Sequence, residues 1–179
     1  MMAEPVFLVG YMGCGKTTLG EVLAQQMGLR FIDLDEYIEQ LHGKTIVDLF
    51  NAVGEDHFRE LESAALRQMV LLTDVIVSCG GGTPCHGDNM ELMNRAGITV
   101  WLTTSPERIT ARLLLPDQKV KRPKIADLPA AAVLPLVQRE LQARSHWYAQ
   151  ARLHFDSTDI ETAEATCRTA RRLAALLAQ

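Results

Sequence analysis

Eight residues near the amino terminus, GYMGCGKT at positions 10–17, have the types and the spacing that phosphate binding requires. They fit the pattern G-x-x-x-x-G-K-S/T, in which backbone N–H groups converge on phosphate oxygens. The glycines leave the backbone bare and free to adopt unusual φ angles. The helix that follows directs the positive end of its dipole at the same anion. The segment therefore predicts a nucleotide-binding loop.

Two side chains of this loop have the chemistry that a nucleoside triphosphate requires. Lys16 is expected to reach the β- and γ-phosphates, and the Thr17 hydroxyl to bind Mg²⁺. The motif also stands after a predicted strand and before a predicted helix, which is the context it needs. We therefore predict that the nucleotide contacts the following run of residues: Gly13, Cys14, Gly15, Lys16, Thr17 and Thr18.

Other residues with useful chemistry follow later predicted strands. Asp33 and Asp35 stand two apart at the end of a strand predicted over 31–35, which would turn both carboxylates to one face. An equally good interpretation of the spacing is that Asp35 only caps the next helix while Asp33 is solvated. Gly80-Gly81-Gly82 follows the third strand, as a simple turn or as a place where a ligand approaches the backbone. Taken singly, four arginines near these segments are typical solvated charges: Arg59, Arg122, Arg139 and Arg144.

Taken together and in order, these segments resemble the shikimate kinases, small P-loop enzymes of the nucleoside-monophosphate-kinase structural group. Each segment is common by itself, but the ordered set is specific and covers essentially the whole chain. The segments that carry the resemblance are the loop at 10–17, FIDLD at 31–35, GEDHFRELE at 54–62, VIVSCGGG at 75–82, KRP at 121–123 and RSHWY at 144–148.

On the acceptor side, the resemblance implies that Asp35 orients or deprotonates the attacking hydroxyl of shikimate. A helical region at about 35–62 would form much of this side. Guanidinium groups suit the carboxylate of shikimate because they bind it through paired hydrogen bonds. Arg139 competes with Arg144 for this role, and the spacing to Tyr148 favours Arg144. The residues implied to bind shikimate are Asp35, Arg59, Gly80, Gly81, Gly82 and Arg144.

On the nucleotide side, the resemblance implies that Asp33 holds Mg²⁺ through water, together with Thr17. Arg122 would reach the transferring phosphate from a mobile lid at about 114–126, and Arg112 would stack near adenine. Positioning and charge neutralisation are what phosphoryl transfer needs most. The implied catalytic residues are Lys16, Asp35 and Arg122.

The chain departs from the pattern of the family at three places. Lys124-Ile125 follows the lid proline, 145–147 reads Ser-His-Trp, and Thr83-Pro84 replaces the commoner apolar pair after the glycines. These changes keep the charged groups in place. We therefore expect them to affect the kinetics of the lid more than the class of substrate.

Strands and helices alternate along the chain, which predicts a parallel sheet covered by helices on both faces. The strands are expected at 5–9, 31–35, 75–79, 98–103 and 153–156. We expect one α/β domain over 1–179, and the resemblance makes it a three-layer P-loop kinase fold. That fold has a five-stranded parallel sheet, flanking helices and a mobile lid.

Composition excludes several functional classes. A net charge of −4 argues against nucleic-acid binding. No secretory leader pattern opens the chain, and no apolar run approaches the ~18 residues of a membrane span. The four cysteines form no C-x-x-C pair, so neither a zinc site nor a disulfide framework is indicated. We expect a cytoplasmic monomer whose only metal is the Mg²⁺ that accompanies ATP.

Two alternatives remain at the level of the sequence. A gluconate kinase or a nucleoside-monophosphate kinase could use the same scaffold, although the aspartate pair and the Phe-Arg segment argue against both. A non-catalytic nucleotide switch would need neither an arginine-rich lid nor an aspartate that faces a polyol.

Overall fold

The sheet that the sequence predicts is present in the structure. The computed structural model describes residues 3–116 and 123–178, without the side chains of residues 123 and 124. Within these ranges, five parallel strands are arranged in the order β2-β3-β1-β4-β5. The strands are β1 (Val6–Val9), β2 (Arg30–Asp33), β3 (Val75–Ser78), β4 (Ile98–Thr103) and β5 (Leu153–Asp156).

The helices begin and end largely where local sequence signals place them. Gly28 ends the first helix with a φ of 67°, Thr45 and Ser105 cap their helices through their hydroxyls, and Gly54 interrupts the third helix. A 3₁₀ helix occupies Thr83–Cys85. The helices are α1 (Lys16–Met27), α2 (Leu34–His42), α3 (Ile46–Met69), α4 (Asn89–Ala96), α5 (Pro106–Leu113), α6 (Pro123–Ala126), α7 (Ala130–Tyr148) and α8 (Ala163–Leu177).

The core has two layers, one on each face of the sheet. Alternate residues of a strand point to opposite faces, so Phe7 and Val9 pack with α2 and α3 while Val6 and Leu8 pack with α1 and α8. On the second face, α1 lies so close to the sheet that a Cβ on Gly20 would be 2.6 Å from the Phe31 ring. Helices therefore cover both faces, as the alternation of elements predicts.

The carboxyl ends of β1, β2 and β3 meet at one edge of the sheet. Asp33 pairs in register with Ser78, and Leu8 pairs with the same serine from the other side. The loop at 10–17, the Asp33–Asp35 pair and the triple glycine all start from this edge. The fold therefore gathers the candidate site residues that lie far apart in the sequence.

The predicted lid at 114–126 is only partly within the described residues. Helix α5 ends at Leu113 and α6 begins at Pro123. Residues 117–122, including the predicted catalytic Arg122, lie outside the described part of the chain. Across 3–116 and 123–178, no helix has both the length and the apolar character needed to cross a membrane.

Gly97 offers a test of how β4 joins the sheet. Its backbone is ordinary and extended, but a Cβ would overlap the carbonyl oxygen of Pro5, which accepts a hydrogen bond from Ile98 N–H at 2.9 Å. Gly97→Ala should therefore lower the free energy of unfolding by about 2–3 kcal/mol. Differential scanning calorimetry should show a melting temperature lower by roughly 5–10 °C.

The matched control is Gly43→Ala, at the end of α2. Gly43 has a φ of 62° and nothing within 4 Å of its Cβ position, so only backbone strain of about 1 kcal/mol is expected. Equal losses in the two variants would contradict the steric explanation.

Candidate active site

The loop between β1 and α1 takes a backbone conformation that few residues other than glycine adopt. Gly10, Gly13 and Gly15 have φ angles of 138°, 79° and 98°. A Cβ on Gly10 would lie 2.8 Å from the Leu102 carbonyl oxygen, and one on Gly15 would overlap the side chain of Ile160. All three positions thus favour glycine by φ, and Gly10 is also required by close packing against backbone.

Lys16 and Thr17 face the centre of this loop. Lys16 is buried, with 9% of the residue exposed, and its ammonium group donates to the carbonyl oxygens of Gly10 at 2.8 Å and Tyr11 at 3.0 Å. The Thr17 hydroxyl donates to Asp33 Oδ2 at 2.8 Å. The structure therefore brings together the two residues predicted to hold Mg²⁺.

The expectation that both aspartates end a strand is wrong. Strand β2 stops at Asp33, whose Oδ1 caps α2 by accepting from Asp35 N–H at 3.1 Å, and Asp35 lies in the first helical turn. The alternative, in which Asp35 is the cap, is wrong as well. The helix begins early because Leu34 and Ile38, one turn apart, are both fully buried in the core.

Asp33 and Asp35 nevertheless line one cavity of about 540 Å³ at this edge of the sheet. The phosphate loop and the first two glycines after β3 form its polar side, and apolar residues close the other end. The lining residues are Met12, Gly13, Gly15, Lys16, Thr17, Thr18, Asp33, Asp35, Ser78, Cys79, Gly80, Gly81, Arg112, Leu113, Leu115, Ile160 and Glu161.

Some predicted site residues lie beside this cavity rather than in its wall. Cys14 packs beneath the loop: its thiol is buried, and its N–H donates to the Tyr11 carbonyl oxygen at 3.3 Å. Arg59, Gly82 and Arg144 adjoin the cavity around the triple glycine.

The outer two of the three glycines let three charged side chains approach the backbone closely. A Cβ on Gly80 would lie 2.7 Å from Glu62 Oε1 and 3.0 Å from Asp35 Oδ1. On Gly82 it would lie 2.7 Å from the Arg59 guanidinium. A Cβ on the middle glycine would lie 3.7 Å from Arg144 Nη1. The segment is also a turn, since Thr83 N–H donates to the Gly80 carbonyl oxygen at 3.1 Å. The approach of a ligand to this backbone stays a prediction.

Glu62 is the site residue for which the sequence analysis gave no role. Its side chain is 1% exposed. It accepts hydrogen bonds from Arg59 Nη1 at 2.7 Å and from the Thr83 hydroxyl at 2.5 Å. The sequence contained one indication of this contact, because Glu62 stands three residues after Arg59 and residues with that spacing are neighbours on a helix. The same contact explains Thr83, which supplies a donor where the family usually has an apolar residue.

The surroundings of Asp35 raise its pKa to about 7. Burial contributes most, and the negative charges of Glu62 and Asp33 add to it, while Lys16 and Arg59 act in the opposite direction. A carboxyl group with a pKa near neutrality can accept a proton during a reaction and release it afterwards.

Arg144 and Tyr148 stand one turn apart on α7, on the side that faces the triple glycine. Arg144 Nη2 lies 3.0 Å from Glu140 Oε2, and the Tyr148 hydroxyl donates to the Gly81 carbonyl oxygen at 2.6 Å. Burial raises the pKa of Tyr148 well above its ordinary value, so this hydroxyl remains a donor. Arg139, the competing candidate, is exposed. The geometry favours Arg144.

Arg112 lies at the other end of the cavity, near its apolar wall. Its guanidinium donates to the carbonyl oxygens of Gly13 at 3.1 Å and Thr158 at 2.9 Å, and it pairs with Glu161 at 3.0 Å. These bonds join the phosphate loop to the segment after β5. They place a planar cation beside Ile160, where a nucleotide base could pack.

The described part of the chain contains no cluster placed to bind a metal ion, and the cysteine beside the triple glycine is not a nucleophile. No group of three or more His, Cys, Asp and Glu residues is placed to hold a metal ion there. Burial raises the pKa of Cys79 far above the ordinary value for a thiol, so it stays protonated.

A phosphate loop on a parallel sheet, with acidic and basic side chains facing one cavity, defines a P-loop kinase of small molecules. The shikimate kinase family model matches residues 12–174. A shikimate kinase of Phocaeicola vulgatus is 44% identical over 156 residues, which are 87% of this chain and 88% of the relative. The chain belongs to the shikimate kinase family and is an ATP-dependent phosphotransferase.

Solved structures agree with this assignment. Shikimate kinase from Bacteroides thetaiotaomicron superposes with a TM-score of 0.95 at 38% identity, covering 100% of both chains. Shikimate kinase from Acinetobacter baumannii in complex with shikimate gives 0.82 at 30% identity, covering 98% of this chain and 93% of that one. A gluconokinase from Sinorhizobium meliloti, at 18% identity and a TM-score of 0.53, covers 98% and 95% and shares the fold alone.

The raised pKa of Asp35 predicts a stability that depends on pH. Because the folded protein binds this proton more tightly than the unfolded chain does, Asp35 destabilises the fold increasingly as the pH rises from about 4 through about 7. Asp35→Asn should remove this penalty. Its advantage over wild type in urea unfolding should grow by about 2–3 kcal/mol between pH 5 and pH 8.

Asp156→Asn is the control, because hydrogen bonds from Thr158 lower the pKa of Asp156. Asp156 is therefore ionised at both pH 5 and pH 8, so Asp156→Asn should change the free energy of unfolding by the same amount at each pH. An advantage of Asp35→Asn that does not change with pH would contradict the raised pKa.

Proposed function

We propose that this chain transfers the γ-phosphoryl group of ATP to the 3-hydroxyl of shikimate. The observation that carries the proposal is the position of Asp35, which stands between the phosphate loop and the cluster of acidic and basic groups around the triple glycine. The proposal is also supported by relatives named shikimate kinase, one of them solved in complex with shikimate.

On the nucleotide side, Lys16 and the loop N–H groups of Gly13 to Thr18 bind the phosphates, and Arg112 packs near the adenine. The hydroxyl–carboxylate pair of Thr17 and Asp33 fits Mg²⁺, which prefers oxygen ligands and keeps several waters. The ion, when bound, neutralises charge on the phosphates. Water and phosphate oxygens would complete the ligand set.

On the acceptor side, Arg59 and Arg144 bind the carboxylate of shikimate and the backbone of Gly80 to Gly82 lies against its ring. Two guanidinium groups flanking a bare backbone suit an anion, because each can offer further charge-assisted hydrogen bonds to a carboxylate beside the pairs with Glu62 and Glu140. This charge is the physical argument for an anionic acceptor such as shikimate over a neutral sugar of similar size.

Asp35 orients the attacking hydroxyl and accepts its proton as the phosphoryl group moves. Its pKa of about 7 suits both steps near neutral pH. Arg122, outside the described residues, would neutralise charge on the transferring phosphate from a lid over 114–126. We further propose that the chain acts as a monomer in the cytoplasm, as one domain with its acceptor region at 35–62.

Asp35→Asn tests the proposed role of this carboxyl. The amide keeps the size of the side chain but neither accepts the proton nor carries the charge. The kcat with ATP and shikimate should fall by roughly 10²–10⁴, while the Kd for ATP stays within a few-fold. Asp88→Asn, at an exposed helix start, serves as the control. A collapse of ATP affinity would instead place Asp35 in the Mg²⁺ site.

Arg144→Ala tests the nature of the acceptor. A charge-assisted hydrogen bond contributes about 1.5–3 kcal/mol, so the KM for shikimate should rise roughly ten- to a hundredfold. The KM for ATP should change little, and Arg139→Ala, five residues away and exposed, should leave both constants near wild type. If the wild type phosphorylated the alcohol analogue, with its carboxylate reduced, as well as shikimate, the role in carboxylate binding would be wrong.

A further inference from the structure

Tyr11 contacts groups on both sides of the active site. It occupies a position that the phosphate-binding pattern leaves unrestricted, yet its side chain is buried, with 1% exposed. Its carbonyl oxygen accepts from Lys16 Nζ at 3.0 Å, and its hydroxyl donates to Glu140 Oε2 at 3.0 Å. The residue therefore joins the lysine of the phosphate loop to helix α7.

Glu140 contacts both Tyr11 and Arg144. Its Oε2 atom, which accepts from Tyr11, also lies 3.0 Å from Arg144 Nη2. The guanidinium carbon lies 5.6 Å from the centre of the Tyr11 ring. The side chains of Glu140 and Arg144 are 18% and 19% exposed, so this is not a solvated surface pair of the kind that contributes little.

Glu140 and the Tyr11 ring hold one side of Arg144, and the Tyr148 hydroxyl, one turn along α7, lies within hydrogen-bond reach of it. Nη2 lies against Glu140, and the face of the guanidinium packs against the Tyr11 ring. Nη1 lies 3.7 Å from the position that a Cβ on Gly81 would take. The guanidinium is thus oriented with one edge towards the acceptor end of the cavity.

We propose that Tyr11 and Glu140 are positioning residues for Arg144, which they fix in the orientation that receives the acceptor carboxylate. The inference rests on the proposed function for the identity of the acceptor. It gives Tyr11 a second task beside its backbone contact with Lys16, so that the residue at this loop position affects binding of the acceptor.

Steady-state kinetics of Tyr11→Phe and Glu140→Gln test the proposal. Tyr11→Phe removes the hydrogen bond from Tyr11 to Glu140, and Glu140→Gln removes the charge that pairs with Arg144. Both substitutions preserve the shape of the side chain. The KM for shikimate should rise roughly 3- to 30-fold in each variant, with kcat and the KM for ATP within about threefold of wild type. The double variant should be no worse than the more affected single one, because both act through Arg144.

The alcohol analogue of shikimate provides a readout that a general structural defect would not give. With no carboxylate to receive, the orientation of Arg144 should not matter, so both variants should use the analogue as wild type does. Glu164→Gln, which breaks an exposed pair of the same spacing with Arg168, should change nothing. An unchanged KM for shikimate, or an equal loss with the analogue, would overturn the proposal.

An NMR measurement separates this inference from the proposed function. The Arg144 Nε–H signal, assigned by its absence in Arg144→Lys, should be sharp in wild type and in Glu164→Gln but broadened in Tyr11→Phe and Glu140→Gln. Failure of wild type to phosphorylate shikimate would refute the proposed function, and this signal would still decide the positioning role. A signal that is identical in all four proteins would refute the positioning role alone.

Discussion

The burial of one negative charge, the carboxylate of Glu62, governs the acceptor half of the cavity. An ion withdrawn from water is tolerated only where an opposite charge and hydrogen bonds replace the water. Arg59 supplies the charge and Thr83 a further donor. Because both must reach one carboxylate, α3 is held against the end of β3. The glycines make room for this arrangement, since a side chain at Gly80 or Gly82 would strike Glu62 or Arg59.

The same buried charge acts on the chemistry through Asp35. Burial contributes most to the raised pKa of Asp35, about 7, and the negative charge of Glu62 raises that pKa further. Such an arrangement opposes folding, because the protein would be more stable with fewer acidic groups here. Active sites commonly accept this loss of stability for the sake of reactivity. The stability of the sheet and its helices, supplied by apolar packing on both faces, is what makes the loss tolerable.

The sequence predicted those features of the structure that depend on neighbouring residues, and it missed those that depend on contacts between distant residues. The phosphate loop, the strands and most helix ends follow from neighbouring residues. The end of β2 does not, because burial of Leu34 and Ile38 in the core starts the helix before Asp35. Glu62 was missed for a related reason. A glutamate in a charged helical segment normally faces water, and its burial depends on Thr83, which lies 21 residues away in the chain.

The pKa of the Asp35 carboxyl is the quantity that most directly tests this account. It can be followed by ¹³C NMR in protein labelled at the aspartate carboxyl carbons, with the signal assigned through Asp35→Asn. The account predicts a titration near pH 7 in wild type. In Glu62→Gln, where the neighbouring charge is removed, the midpoint should move towards the ordinary value of about 3.9. A wild-type midpoint near 4 would contradict the claim that a buried charge cluster tunes this residue for catalysis.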